Sequence, residues 1–346
     1  MRFLSKALAS LKKNLLSHAV IAVLSLLAAA LLFGDANKLS RKIIDATFMK
    51  VTGSPLSYDI RADKDGVPVL IESTIGQQRN PVTICNSALG YWKNVDADEQ
   101  QKKYFVNCAN WLFENRTLRN DSTSLLEYKY DWAINNMKAP WQSGMAQGLS
   151  LQVFVRAHQL TKDEKYLKAA EQQLNSFFVP VAENGVTYKS TDKGWWYEEF
   201  ADDHGKESYT LNGMMFAVLG IYDYYQYTHS AKAKFLFDQG VEAVRIHLPE
   251  YDKDGFSYYD KMGLTSLKYH NIHVDLLQKM YTSSGVVIFD TYAKRWGAYR
   301  DPNFIARTLK GETKKIHVAV FLVNALLIMI SLEIIFLLYL VFRKES

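Results

Sequence analysis

Two apolar stretches bracket this chain, and they confine its fold to the residues between them. Leu15 to Gly34 contains no charged side chain, and only Ser17, His18 and Ser25 interrupt it with polar groups. About twenty helical residues span about 30 Å, the hydrocarbon thickness of a bilayer. The second stretch, Val318 to Phe342, contains Asn324 and Glu333 and is followed by Arg343 and Lys344. Ala28-Ala29-Ala30 offers the small residues of a signal-peptide cleavage site. Apolar sequence continues beyond them to Gly34, so an uncleaved anchor is the expectation. Two transmembrane helices place both termini on one side of the membrane and residues 35–315 on the other. The short tails carry Arg2, Lys6, Lys12, Lys13, Arg343 and Lys344. The positive-inside rule therefore puts the tails in the cytoplasm and the middle region outside it or in a lumen. A carboxylate at the depth of Glu333 is costly. Two readings stay open for it, a protonated carboxyl or a contact with a partner helix, and the second leaves room for a homodimer.

Composition restricts the middle region further. The chain of 346 residues is 48% hydrophobic and 22% charged, which excludes a disordered or fibrous protein. Its net charge of +5 is spread without any basic block, so no nucleic-acid footprint exists, while an anionic substrate is permitted. Two cysteines, Cys85 and Cys108, cannot build a disulfide scaffold or a thiolate metal cage. Outside the cytoplasm they are read either as one pair or as two buried thiols.

Residues up to Gln78 are punctuated by Gly53, Pro55, Gly66, Pro68 and Gly76 and read as a strand-rich lead-in. Within it, Asp63-Lys-Asp-Gly66 reads as a tight turn rather than a calcium loop, because the later acidic ligands are missing. After Pro81 the pattern becomes paired helices: 82–92 with 98–113, 143–160 with 162–178, 209–227 with 231–248, and 271–281 with 286–299. Thr161-Lys-Asp-Glu164 is expected to cap the second member of its pair as a capping box. Asn86, Gln147, Asn212 and His273 mark the first helix of each pair, about 61 to 65 residues apart. Two helices per long repeat indicate an α/α toroid. The first helices are uncharged over 144–151 and 211–217, as inner helices must be, whereas 163–168 is rich in charge. The fold class expected is mainly α: an incomplete α/α toroid of four helical hairpins with short β excursions, flanked by two transmembrane helices. Those excursions, 124–131, 185–189 and 256–259, fall where a toroid builds its rim.

Aromatic and acidic side chains gather at the rim. In Trp195-Trp-Tyr-Glu-Glu-Phe200, flat rings beside carboxylates suit a sugar, although the same residues serve equally as a strand edge. Phe256-Ser-Tyr-Tyr-Asp260 and Lys268-Tyr-His-Asn-Ile-His273 add phenols and a His-x-x-His spacing, with no third cluster to complete a metal site.

The order of further segments is more specific. Ala139-Pro-Trp-Gln-Ser-Gly-Met-Ala-Gln-Gly148, Arg156-Ala-His-Gln-Leu-Thr-Lys-Asp163, Trp196-Tyr-Glu-Glu199, Leu211-Asn-Gly213, Gly220-Ile-Tyr-Asp223, Leu248-Pro-Glu-Tyr-Asp252, Tyr259-Asp260, Tyr269-His270 and Lys294-Arg-Trp296 together resemble the C-terminal domain of the D-glucuronyl C5-epimerase family. The resemblance covers 139–300 and weakens before it. It implies conversion of D-glucuronate to L-iduronate within heparan-type chains. It also implies catalytic roles for Glu199, Tyr259 and Tyr269. The tyrosine that follows the family's glutamate is Phe200 here, and a phenyl ring moves no proton. Tyr259 or Tyr269 then takes its part, or Tyr197 or Tyr258 does, or the activity differs. Lys261 is the nearest match to a family basic residue. Trp141, Gln147, Trp196, Tyr197, Glu198, Asn212, Tyr258, Lys261, His270 and Arg295 are the expected substrate contacts, with no metal.

Epimerisation at C5 of a uronate removes a proton α to a carboxylate and returns one to the opposite face. A base, an acid and groups that hold the carboxylate suffice, so no cofactor is expected. The expected partners are an anionic uronate polysaccharide and the lipid bilayer. A polysaccharide lyase, which shares the proton abstraction, and a non-catalytic glycan-binding subunit of a membrane assembly remain alternatives. The expected organisation is a tail (1–14), an anchor (15–34), the lead-in (35–80), the epimerase-like toroid (81–302), a linker (303–317), a second span (318–342) and a tail (343–346).

Overall fold

The computed structural model describes residues 14–32, 40, 43–44, 46–47, 50–51, 59–72, 75–132, 135–201, 208–261, 263–265, 267–298, 304–309 and 315–342. The basic residues of both tails lie outside them. The chain divides into two compact units, one of residues 57–300 and one of 1–56 with 301–346.

In the smaller unit, Val318–Phe342 is long and apolar enough to cross a membrane, and Leu15–Leu31 is apolar but shorter. These helices pack against each other. Glu333 meets His18, whose Nδ1 lies 2.8 Å from the carboxylate, so the partner of this acid is in the chain itself and need not come from a second copy. The Ser40 hydroxyl donates to the Asn324 side chain. Glu333 and Asn324 thus each meet a polar side chain of the same unit. That is the economical solution wherever water is scarce.

The larger unit opens on an antiparallel meander of β1 (Asp59–Ala62), β2 (Pro68–Glu72) and β3 (Gly76–Gln78). Asp63 makes the expected turn after β1, its Oδ1 accepting from the backbone N–H groups of Asp65 (2.9 Å) and Val67 (3.0 Å). Four helical hairpins follow: α1 (Pro81–Trp92) with α2 (Glu99–Glu114), α3 (Gly144–Thr161) with α4 (Glu164–Ser176), α5 (Leu211–Thr228) with α6 (Ala231–His247), and α7 (Leu267–Ser284) with α8 (Val287–Gly297). Each odd-numbered helix packs on its own hairpin partner and on its odd-numbered neighbour: α3 on α1 and α5, and α5 on α7. The hairpins therefore form an arc with α1, α3, α5 and α7 on the inside.

Burial follows the sequence pattern. The first twelve residues of α3 except Gln152 are buried, as are most of α5, whereas α4 buries one face. Asn86, Gln147, Asn212 and His273 each fall on an inner helix, but at different depths from its start, so they mark the repeat without occupying equivalent positions. The cap of α4 is Asp163, which accepts from Lys165 N–H at 3.0 Å. Thr161 instead closes α3, donating to the Ala157 carbonyl, so it opens no capping box. Cys85 and Cys108 are buried free thiols.

Short strands join the hairpins: β4 (Thr117–Asn120), β5 (Thr123–Leu125), β6 (Glu127–Tyr128), β7 (Trp141–Gln142), β8 (Thr187–Lys189), β9 (Trp195–Tyr197), β10 (Asp252–Lys253), β11 (Phe256–Asp260) and β12 (Gly263–Leu264). Apart from the β10-β11-β12 sheet, they form two-stranded ribbons.

Candidate active site

A cleft of about 1210 Å³ runs along the inner face of the arc, from Asn80, Val82 and Asn86 near α1 to Tyr259, Asp260, Lys268 and Tyr269 near α7. Its length is supplied by four helices, which is why residues far apart in sequence meet there.

The segment after β9 brings a carboxylate to the middle of this cleft. The backbone carbonyl of Glu198 accepts from Gly144 N–H at 2.6 Å, and Ala201 N–H donates to Gln142 at 3.2 Å, so residues 198–201 are strapped to the start of α3. Glu199 then lies over Gly213 on α5. A β-carbon at position 213 would sit 2.4 Å from the Glu199 Oε2 and Cβ, so glycine is what leaves the carboxyl its place. Part of the Glu199 side chain is open to the cleft, yet its Oε2 is sealed from solvent and has no donor among the described residues. Burial, then the neighbouring carboxyls of Glu198 and Asp260, push its pKa up to about 8. Such a group holds its proton at neutral pH and is a stronger base than an ordinary carboxylate once it loses it. Gly213→Ala is accordingly expected to cut turnover at least tenfold with a modest loss of melting temperature, because the glutamate and not the helix must yield; kinetics beside circular dichroism measures both.

Two phenols face the same space. Tyr259 ends β11 and Tyr269 enters α7, their rings edge to face with centroids 4.9 Å apart. Trp141 lies flat on Tyr128, with centroids 3.8 Å apart and planes within 11°, and Phe200 packs against it at 6.0 Å. Trp141 and Tyr128 are themselves buried, so the half-buried Phe200 is the ring of this stack with surface left for a sugar face. Asn212, almost wholly buried, has an Oδ1 without a donor among the described residues and also lines the cleft.

Of the residues expected from sequence, the cleft thus brings together Glu199, Tyr259, Tyr269, Trp141 and Asn212. Eight others do not line it. Gln147 is fully buried and braces the junction of β5 and β6, exchanging hydrogen bonds with the backbone of Leu126 (both 2.9 Å). Trp196 is enclosed by Tyr209 and Tyr251, and the Tyr197 hydroxyl donates to the Leu236 carbonyl at 2.6 Å, so neither reaches substrate. Glu198 is fully buried and accepts from the Ser208 hydroxyl (2.9 Å) and from the N–H groups of Glu199 (2.8 Å) and Tyr209 (2.7 Å). It anchors the loop that carries the acid and does not line the cleft. Tyr258 packs against the core.

Lys261 turns back over the Tyr209 ring, 3.5 Å from its centroid. Arg295 is paired with Asp252 at 2.6 Å. His270 accepts from Ser257 N–H on Nδ1 (3.1 Å), so its Nε2 proton points at the Trp296 carbonyl (3.0 Å). His273 meets the same Ser257 hydroxyl at 2.8 Å, and burial lowers its pKa to about 3. The His-x-x-His spacing is therefore a buried polar knot. Tyr128, Asn80, Asn86, Asp260 and Lys268 line the cleft without having been singled out as contacts. Asn86 carried a signal as a marker of the repeat, and Asp260 and Lys268 stood in the two phenol-bearing segments.

Residues 120–298 match the family described as the D-glucuronyl C5-epimerase C-terminus. The chain is 30% identical over 199 residues to an uncharacterized protein of Methanocaldococcus jannaschii, covering 56% of this chain and 64% of that one. It is also 30% identical over 221 residues to a D-glucuronyl C5-epimerase of Caenorhabditis elegans, covering 58% of this chain and 35% of the nematode enzyme. In both cases it spans less than two thirds of the relative. Among solved structures, a sugar epimerase from a ruminal bacterium overlaps at a TM-score of 0.49 with 12% identity, over 82% of this chain and 73% of that one. An unsaturated glucuronyl hydrolase from Bacillus sp. GL1 overlaps at 0.45 with 17% identity, over 70% and 72%. Overlaps so loose say nothing of substrate. The family match, however, takes in more than half of the chain and every one of the cleft's candidate catalytic residues, and the chain belongs to the D-glucuronyl C5-epimerase C-terminal family.

Proposed function

We propose that this protein is a membrane-anchored carbohydrate epimerase that inverts C5 of D-glucuronate residues in a glycan. The observation that carries the reading is a single cleft holding a partly sealed carboxyl with a raised pKa, Glu199, together with two phenols, Tyr259 and Tyr269.

The chemistry follows from those groups. The Glu199 carboxylate takes the C5 proton. The electron pair of the C5–H bond moves into the adjacent carboxylate, which becomes an enediolate. A phenol on the other face of the ring donates its proton to C5, and the pair returns to carbon with the opposite configuration. The resulting phenolate and the protonated Glu199 are then reset through solvent. Phe200 removes the phenol that the family places beside its glutamate. Tyr197 and Tyr258 lie away from the cleft, which leaves Tyr259 and Tyr269 for that step. Asn212 and the Phe200 end of the aromatic stack would orient the ring.

In this reading Val318–Phe342 and the Leu15–Leu32 helix both sit in the bilayer, with residues 57–300 on the side away from the short basic tails. Resistance of the full chain to alkaline carbonate extraction checks the anchor, and protease accessibility of closed vesicles checks the side.

Incubation of the full chain with a glucuronate glycan in deuterated water tests the reaction. Deuterium gained at C5 with iduronate appearing and no new absorbance near about 232 nm is the expected result, since a proton-transfer site exchanges hydrogen with solvent. An unsaturated product would establish a lyase instead. No exchange with any uronate glycan would leave only binding.

A further inference from the structure

We infer that Lys268 holds the substrate's carboxylate, and that the cleft takes one acidic sugar flanked by uncharged ones, so that the substrate is an unsulfated glycan with isolated carboxylates. This rests on the epimerase reading for the reaction but not for the binding preference.

Charge is scarce along the cleft. Among the described residues that line it, the charged ones are Glu199, Asp260 and Lys268. All three belong to the middle and the α7 end. Toward α1 the lining is Leu70, Asn80, Val82, Thr83 and Asn86, apolar groups and amides suited to hydroxyls and ring faces.

Cations elsewhere on the rim are already engaged. Arg79 is paired with Asp63 and hydrogen-bonded to the Val67 and Pro68 carbonyls. Lys138 is paired with Asp131 at 2.7 Å, and Arg295 with Asp252. Lys261, the basic residue the sequence favoured, lies on Tyr209. Lys268 differs from all of these. It is exposed, it lines the cleft, and it forms no ion pair with a carboxylate among the described residues. Its ammonium lies 5.5 Å from the Tyr269 ring centroid, so it stands beside one of the two phenols. It also occupies the first turn of α7, where the helix dipole repels a cation and welcomes an anion. A lysine there adds to a positive field that suits an incoming anion.

One ammonium neutralises one carboxylate. A sulfated chain would bring further charges against Asp260, Glu199 and a wall whose described residues offer no second cation to receive them. The enediolate formed at the carboxylate carries more charge than the ground state, so the same lysine also favours the reaction.

The test measures affinity of the full chain by tryptophan fluorescence, separately from turnover. Three oligosaccharides of equal length serve as probes: an unsulfated one alternating glucuronate with a neutral amino sugar, its carboxyl-reduced counterpart, and its sulfated counterpart. The wild type is expected to bind the first about tenfold or more tightly than either other, the worth of one charge-assisted contact. Lys268→Met should remove the preference for the carboxylated over the reduced probe, and Lys268→Arg should keep most of it. The inference is overturned if Lys268→Met retains the wild-type preference, or if the sulfated probe binds as tightly as the unsulfated one. Absence of deuterium exchange would instead sink the epimerase reading, and the affinity comparison would still judge Lys268.

Discussion

Glu199→Gln is expected to abolish hydrogen exchange at C5, a loss of about 10²–10⁴-fold set by the worth of one proton-transfer group. The same substitution is expected to stabilise the fold at alkaline pH. Burial and two neighbouring carboxyls raise Glu199 from the ordinary 4.5 to about 8. Between those values the folded chain keeps a proton that the unfolded chain has released, so stability falls as pH rises through this window. At about 1.4 kcal/mol per unit, the full shift would cost several kcal/mol above pH 8. Water entering the open side of the cleft discounts that figure. Glutamine never ionises and escapes the penalty. The melting temperature of Glu199→Gln should therefore gain on the wild type from about pH 5 to about pH 8 and hold that lead above it. Wild-type kcat/KM should rise with pH toward about 8, as the free enzyme's base ionises. A variant that still exchanges deuterium, or whose stability follows the wild type at every pH, removes Glu199 from the role given to it.

What could be read in the sequence, and what could not, separates along physical lines. Four hairpins were legible because the inner helices carry almost no charge while their partners carry much, and that contrast survives any detail of packing. Glu199, Tyr259 and Tyr269 were legible through a resemblance in segment order, and one cleft holds all three. The neighbours of Glu199 were not. In an exposed strand, alternation tells one face from the other. Around β9 both faces are covered, so Trp196, Tyr197 and Glu198 look as polar-aromatic as a rim while serving as packing and an anchor. The cationic contact failed for a different reason. The tight turn between β11 and β12 sends Lys261 back toward Tyr209, and the position beside the phenol passes to Lys268. No count of residues between motifs reports a change of direction at a turn. Asn80 lies outside the residues that match the family and Tyr128 lies before the motifs that carry the resemblance, and only the closing of the arc brings them into one cleft with Glu199.

Glu198 shows how closely anchoring and chemistry are joined here. Its buried carboxylate gathers the N–H groups of Glu199 and Tyr209 and the Ser208 hydroxyl, which fixes the backbone on both sides of the acid. The same charge raises the pKa of Glu199. One neighbour that does not line the cleft thus fixes the position of the catalytic candidate and adds to the effect of burial on its basicity.

The arc itself depends on a contact between backbones, and there the second large effect is expected. Gly220 of α5 faces Gly148 of α3 so closely that a β-carbon at 220 would lie 2.0 Å from the Gly148 carbonyl oxygen. From the other side, a β-carbon at 148 would lie 2.4 Å from the Cα of Ala217. These obstacles are helix backbone, so no rotamer change relieves them, and the helices must part. Gly220→Ala is expected to lower stability by about 3 kcal/mol, the upper part of the range for overpacked sites. Because α3 begins beside Trp141 and α5 begins at Asn212 and Gly213, parting them also displaces Glu199 from the phenols. Deuterium exchange should then fall well below wild type even at temperatures where circular dichroism shows the fold intact. Gly90→Ala supplies the contrast. Gly90 lies in α1 with nothing within 4 Å of an added β-carbon, so the gain in helix propensity, up to about 1 kcal/mol, has nothing to oppose it. Opposite shifts in melting temperature from the same change of side chain would trace the effect to the α3–α5 crossing. If Gly220→Ala melts and exchanges like the wild type, the close crossing does not govern the cleft.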